Sequence, residues 1–193
     1  MSKVLVISGH PDLDKSIANR VILADLQDVP GLSIEVRRLD RLYPDFQIDV
    51  AAEQKALIEA DLIVWQFPFH WYALPALMKK WVDDVLVHGF AFGTGGDKLR
   101  GKNLILSFTA GADAEAYNHG QPMNYTVEEF LPPLRQTALL CGMDWQSPVY
   151  SNSMIYIPGV SSDADRAMIE ARAHNHAHKL IGALGTLAAQ KAA

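Results

Sequence analysis

Three runs of consecutive apolar residues constrain this chain more than any other feature. They are Val4-Leu5-Val6-Ile7, Leu62-Ile63-Val64-Trp65 and Leu104-Ile105-Leu106. A sheet with one wet face alternates apolar and polar side chains along each strand. Short unbroken apolar runs need cover on both faces, as in a parallel sheet clad in helices. The segments between the runs supply those helices. Ser16 is placed to cap a helix carrying Val21, Ile22 and Leu26 on one face, which Pro30-Gly31 stops. Pro75 suits the first turn of a helix with Leu77, Met78, Trp81, Val82 and Val85 at helical spacing. Another helix runs from about Val50 to Ala60, and a last one from Ser162 to about Ala189. Thr126 and Glu129 have capping-box spacing, Pro132-Pro133 is expected to break or kink the helix that follows, and Gly142 to end it. Strands are expected over 4–8, 34–39, 61–67, 104–109 and 148–157. Five strands interleaved with helices form a parallel sheet covered on both sides, in a single domain over 1–193.

Composition narrows the function classes. A net charge of −5 leaves no basic footprint for nucleic acid. The single cysteine, Cys141, cannot form an internal disulfide and reads as a small buried apolar residue in a reducing compartment. The apolar run after Lys3 is too short for a signal peptide, and no run approaches the roughly 20 apolar residues that span a bilayer. The expected location is cytoplasmic.

In an open parallel sheet, ligands bind beyond the carboxyl ends of the strands, where strand order reverses. The loops at issue are 9–19, 67–73 and 109–120. The first holds His10, Ser16 and Asn19 at a helix start, whose free N–H groups favour a phosphate; the same serine also reads as an ordinary cap. The second, Phe67-Pro68-Phe69-His70-Trp71-Tyr72, carries four aromatic rings able to stack on a flat heterocycle. Its other reading is a hydrophobic plug or dimer contact. In the third, the small residues Ala110, Gly111 and Ala112 let backbone approach a ligand, and Tyr117 and His119 are competent proton donors. His174 and His178 share helix spacing, but the three histidines 174, 176 and 178 are expected on a solvated face, with no metal.

Longer stretches carry a family pattern. Ala60 to Tyr72 continues through Leu74-Pro75-Ala76-Leu77-Met78-Lys79-Lys80-Trp81, giving a strand, then Q-x-P-x-x-W-Y, then a proline-started helix with K-x-W. Tyr43-Pro44-Asp45-Phe46, Ala52-Glu53-Gln54, His88-Gly89-Phe90-Ala91-Phe92-Gly93 and Cys141-Gly142 follow the same pattern in order. The chain resembles the NAD(P)H:quinone oxidoreductases of the flavodoxin-like superfold. It looks closest to small bacterial members such as the ancillary quinone reductases of glutathione-gated potassium efflux, with DT-diaphorase a more distant relative.

The resemblance implies a flavodoxin-like three-layer α/β sandwich with a five-stranded parallel sheet. It implies a flavin, FMN with FAD as the alternative, and NADH or NADPH as cosubstrate. His10, Ser16, Ile17, Ala18 and Asn19 would hold the phosphate end. Pro68, Phe69, His70, Trp71 and Tyr72 would line the isoalloxazine, and Thr109, Ala110, Gly111 and Ala112 its other edge. Ala110 and Ala112 depart from the family's T-T-G-G. Tyr117 and His119 would assist hydride transfer, His119 aligning only across a shortened loop. The implied activity is ping-pong, two-electron reduction of quinones or similar acceptors by a homodimer, with Trp71, Phe90 and Phe92 at the contact. Two other readings stay open: a regulatory subunit held at the inner membrane by a potassium efflux transporter, and a flavodoxin-type electron carrier.

Overall fold

Every residue of the third strand is buried, and the sheet is organised around it. The computed structural model describes residues 1–192. In chain order its elements are β1 (Ser2–Ser8), α1 (Ala18–Asp25), β2 (Leu32–Arg38), α2 (Leu39–Leu42), α3 (Val50–Glu59), β3 (Leu62–Pro68), α4 (Ala76–Val85), β4 (Asn103–Thr109), α5 (Pro132–Leu140), β5 (Asp144–Trp145), β6 (Val149–Ser151) and α6 (Asp163–Ala192). All strand pairs are parallel. The order across the sheet is β2-β1-β3-β4-β5, with β6 also paired to β4. The chain moves outward from β1 to β2 and then returns to the other side of β1, so strand order reverses between β1 and β3.

Alternation along the strands divides the core in two. Leu5, Ile7, Ile63, Trp65, Phe67, Leu106 and Phe108 pack with Leu57 of α3 and Leu77, Met78 and Trp81 of α4. Val4, Val6, Leu62, Val64 and Ile105 face the other way, against Leu23 of α1, Leu26 just after it, and Leu180 and Leu184 of α6. Helices α1 and α6 also pack on each other through Ala18, Ile22, Ile169, Ala173 and Ala177. The fold is therefore the flavodoxin-like α/β sandwich implied by the sequence.

Three local expectations change. The strand expected over 148–157 is two fragments: β5 pairs with Asn103 and Leu104, and β6 pairs with Ser107 to Thr109. Pro148, just ahead of β6, has no amide hydrogen for the ladder. Past Ser151 the chain leaves the sheet through Ser153, whose φ of 56° is left-handed. Second, Pro132 and Pro133 do not kink a helix but begin one, in the first turn of α5 where an N–H has no helical acceptor to lose. Ahead of them Glu129 accepts from the Thr126 backbone N–H and hydroxyl, but only a 3-10 turn, Glu128–Phe130, forms there. Third, the histidines of α6 do not share a solvated face. His174 is exposed and pairs with Asp25 at 2.6 Å, whereas His176 is buried between the hydroxyls of Ser107 and Ser151, at 2.8 and 3.0 Å. Among the described residues no three His, Cys, Asp or Glu side chains gather as metal ligands. No described helix is long and apolar enough to cross a membrane. Cys141 is buried, and burial pushes its thiol pKa up.

One buried carboxylate ties the α3–α4 side together. Glu53 is fully buried and accepts from Arg37 Nε at 2.7 Å, Tyr43 Oη at 2.5 Å and Trp81 Nε1 at 2.8 Å. These residues come from β2, the turn after α2, α3 and α4. Glu53 and its neighbours hold the Arg37 guanidinium well above its ordinary pKa despite burial, and burial and the same carboxylate push the Tyr43 phenol up to about 12.

Two outcomes follow. Replacing Glu53 with Ala leaves the Tyr43 and Trp81 donors unpaired and the half-buried Arg37 with only the exposed Glu35, and lowers stability by about 3 kcal/mol. Urea unfolding that shows a loss under about 1 kcal/mol would contradict the role given to this cluster. Burial, with Lys179 adding to it, pushes His176 from 6.5 down to about 4. The unfolded chain then takes up the proton first, so this residue costs nothing above its unfolded pKa and destabilises the fold progressively as pH falls toward 4, by up to about 3 kcal/mol. His176→Gln should remove that part of the pH slope; an unchanged slope excludes His176 as its source.

Candidate functional site

The carboxyl ends of β1, β3 and β4 open into one cavity of about 650 Å³. Its first wall is the loop after β1. Gly9 begins that loop because a Cβ there would lie 2.3 Å from Met78 Sδ of α4. Ser16 is extended, with ψ of 130°, and its Oγ accepts the Asn19 backbone N–H at 3.0 Å, which caps α1. The start of α1 thus faces the cavity through Ser16, Ile17, Ala18 and Asn19. His10 Nδ1 accepts the Asp12 N–H at 3.1 Å, so in the neutral ring the proton sits on Nε2. Burial, and then His70, pushes His10 down to about 4. Burial also lowers His70. The two rings stand edge to face at 6.4 Å, as neutral imidazoles at neutral pH.

The second wall is the aromatic loop. Its start is pinned by the Phe69 N–H donating to Thr109 O at 2.8 Å. His70 to Ala73 then form a tight turn closed by Ala73 N–H to His70 O at 3.0 Å. Trp71 and Tyr72 hold φ of 47° and 63°, the left-handed region, which costs L residues roughly 1–2 kcal/mol each. The turn is held by packing: Tyr72 stacks on Phe130 at 4.9 Å, and Phe69 meets Phe108 and Phe130. Trp71 pays no such packing role, being 90% exposed at the cavity rim.

The third wall is Thr109, Ala110 and Gly111, followed by a segment absent from the sequence-based site. Ala110 donates to Ser151 O at 2.8 Å and accepts from Met154 N–H at 3.0 Å. This docking brings Met154, Ile155, Tyr156 and Pro158 to the cavity, and Lys15 joins from the first loop. The signal for them was weak: apolar residues beyond the last strand fragment, which the sequence presents as more of the same strand.

Of the residues singled out from the sequence, His10, Ser16, Ile17, Ala18, Asn19, Pro68, Phe69, His70, Trp71, Thr109, Ala110 and Gly111 line the cavity. Four do not. Tyr72 is turned into the aromatic cluster. Ala112 lines an adjoining hollow of about 440 Å³ that shares Gly111 and Ile155 with the main cavity. Tyr117 is 7% exposed and sits edge-on to Phe130, where burial and then Tyr72 raise its pKa and keep its proton on. His119 lies outward, 3.2 Å from Glu129. Phe90, expected at a subunit contact, is in the core instead, and Phe92 is half-buried against it.

This arrangement suits a flat heterocycle with an anionic tail: a helix start and the neutral His10 at one end, rings with His70 and close backbone at the other. The volume falls within the range of small-molecule and cofactor sites. Known structures repeat the architecture. General stress protein 14 of Treponema denticola, solved with FMN, is 30% identical, with a TM-score of 0.80 over 95% of this chain and 99% of that one. The structure of a thermophilic tryptophan halogenase from Streptomycin violaceusniger is 37% identical, with a TM-score of 0.74 over 90% of this chain and 96% of that one. An NAD(P)H:quinone oxidoreductase from Methanothermobacter marburgensis, 21% identical, shares the fold at a TM-score of 0.69 over 93% of this chain and 98% of that one. A family described by its flavodoxin-like fold matches residues 2–179. With that match over most of its length, and the sheet order and switch-point cavity behind it, the chain belongs to this flavodoxin-like family.

Proposed function

We propose that the protein is a flavin-dependent NAD(P)H:quinone reductase with FMN as its cofactor. One observation carries the reading: a helix start lined by donors and an aromatic wall share a single open cavity. The FMN bound by the 30%-identical relative supports the choice of flavin. The quinone and the nicotinamide rest on the Q-x-P-x-x-W-Y motif and the helix that follows it. When bound, a flavin supplies hydride acceptance and release, chemistry that no side chain here provides.

The chain's own residues bind, orient and hold protons. The N–H groups at the start of α1, with the Ser16 hydroxyl, receive a phosphate. His10, with its proton on Nε2, offers a neutral donor to the same end. Pro68, Phe69 and His70 form a wall of backbone and ring for a planar system, and Ala110 and Gly111 let it approach β4 closely. Tyr117 keeps its proton beside Tyr72 and Phe130, outside the cavity lining, and its service to an acceptor oxygen rests on the family resemblance. His119 shares that loop but faces Glu129 and solvent. One open cleft serving donor and acceptor in turn favours ping-pong order. Trp71, 90% exposed at the rim, is the surface on which a second copy would close the cleft, and its exposure supports a homodimer as the working form.

An absorption spectrum tests the reading. Protein supplied with FMN should show oxidised-flavin bands that bleach with anaerobic NADH or NADPH and return with a quinone. A protein that takes up neither FMN nor FAD sinks the reading. In the same experiment Tyr117→Phe should keep its flavin but bleach about 10²-fold more slowly; an unchanged rate removes Tyr117 from proton donation. Light scattering should give twice the chain mass for the wild type and a larger monomer fraction for Trp71→Ser. A fully active monomer would refute the dimer.

A further inference from the structure

A polar row crosses the sheet beneath the cavity. Ser8, Gln66 and Ser107 are register partners on β1, β3 and β4, on the face covered by α1 and α6. All three are fully buried. Gln66 reaches up from this row: its Nε2 donates to Asn19 Oδ1 at 2.5 Å. Asn19 Nδ2 in turn donates to Ser16 Oγ at 3.1 Å and to Thr109 Oγ1 at 3.2 Å. One carboxamide thus joins the loops after β1 and β4 to the middle strand. Gln66 Oε1 and the Ser8 hydroxyl remain without partners among the described residues.

With Gln66 donating to Asn19, valence sets the polarity of the site. An amide nitrogen only donates, and a hydroxyl oxygen has two lone pairs and one proton. Ser16 Oγ accepts from both the backbone N–H and the side-chain amide of Asn19, so its lone pairs are used. Its proton is the only bonding capacity left, and Ser16 lines the cavity. Thr109 Oγ1 receives one hydrogen from Asn19 and keeps its own proton and one lone pair, so it too can donate into the cavity. Were the Asn19 amide reversed, its oxygen would collect both hydroxyl protons, and only lone pairs would face the ligand.

We propose that Gln66 is a positioning residue which, by donating to Asn19, obliges Ser16 to enter the cavity as a hydrogen-bond donor, leaves the Thr109 proton free to join it, and so selects a ligand bearing a phosphate monoester. The inference deepens the flavin reading and rests on it. Gln66 touches no ligand itself. It sets which atom of Asn19 faces the two hydroxyls, and the donors so exposed join the N–H groups at the start of α1.

The test compares the affinities of FMN and riboflavin, which differ by the phosphate. Gln66→Met removes the donor and leaves the Asn19 amide free to turn. FMN binding, followed by quenching of flavin fluorescence, should weaken about ten-fold or more, the scale of one lost charge-assisted hydrogen bond. Riboflavin binding should change at most a few-fold. Gln66→Met should add little to the loss already caused by Ser16→Ala, because both act on one donor. Gln66→Glu, nearly the same shape, is the second variant should the Met protein fail to fold. Its carboxylate can only accept, which forces the reversed Asn19, so FMN should weaken further as pH rises and that carboxylate ionises. Equal losses for FMN and riboflavin, additive losses with Ser16→Ala, or wild-type FMN binding by Gln66→Glu each overturn the role of Gln66. A wild-type protein that binds neither flavin overturns the flavin reading, and the role of Gln66 with it.

Discussion

The carboxylate of Glu53 is the point on which one side of this molecule depends. Burying a charge is costly unless every lone pair is answered, and here a guanidinium, a phenol and an indole answer it. The answer requires β2, the turn after α2, α3 and α4 to stand in one arrangement. Helix α4 is therefore placed by an interaction well away from the cavity. It then packs Met78 so close to Gly9 that no Cβ fits where the first loop leaves β1. The helix that bonds this buried charge through Trp81 thus also packs, through Met78, against the loop that enters the cavity.

The other side of the sheet is built differently. Leucine and valine layers give way, toward the carboxyl ends of the strands, to Ser8, Gln66 and Ser107. His176 from α6 closes the row by bridging Ser107 and Ser151. The polar atoms lie just beneath the cavity, where they can transmit orientation to the side chains lining it. An apolar floor would pack as well but would leave the Asn19 amide free to turn either way.

The central sheet was legible because β1, β3 and β4 are unbroken apolar runs, and only a doubly covered strand tolerates such runs. The three ligand loops were legible for the same reason, since they begin where the runs end. The edge was not. Residues 148–157 carry apolar and aromatic side chains that read as one strand, and nothing local tells Val149, which pairs, from Ile155, which swings over the cavity. That difference lies in Ala110 bonding to Ser151 and Met154, a contact between distant segments. His176 was misplaced because one histidine on a polar helix gives no sign of the two hydroxyls awaiting it. Tyr43, Glu53 and Trp81 stood out in the sequence as parts of a family pattern with no evident chemistry. The structure gives the reason: they meet on one carboxylate.

The broken edge of the sheet bears on how the protein behaves in a crowded solution. A long, flat edge strand offers its free amides and carbonyls to any passing chain. Here the β4 side of the sheet ends in fragments of two and three residues, separated by a segment containing Pro148. At the opposite margin β2 carries Glu35, Arg37 and Arg38 along its length. Neither margin offers the long neutral ladder from which intermolecular sheets and fibrils grow. The interruption that brings Ile155 and Tyr156 to the cavity therefore also guards the folded chain against aggregation.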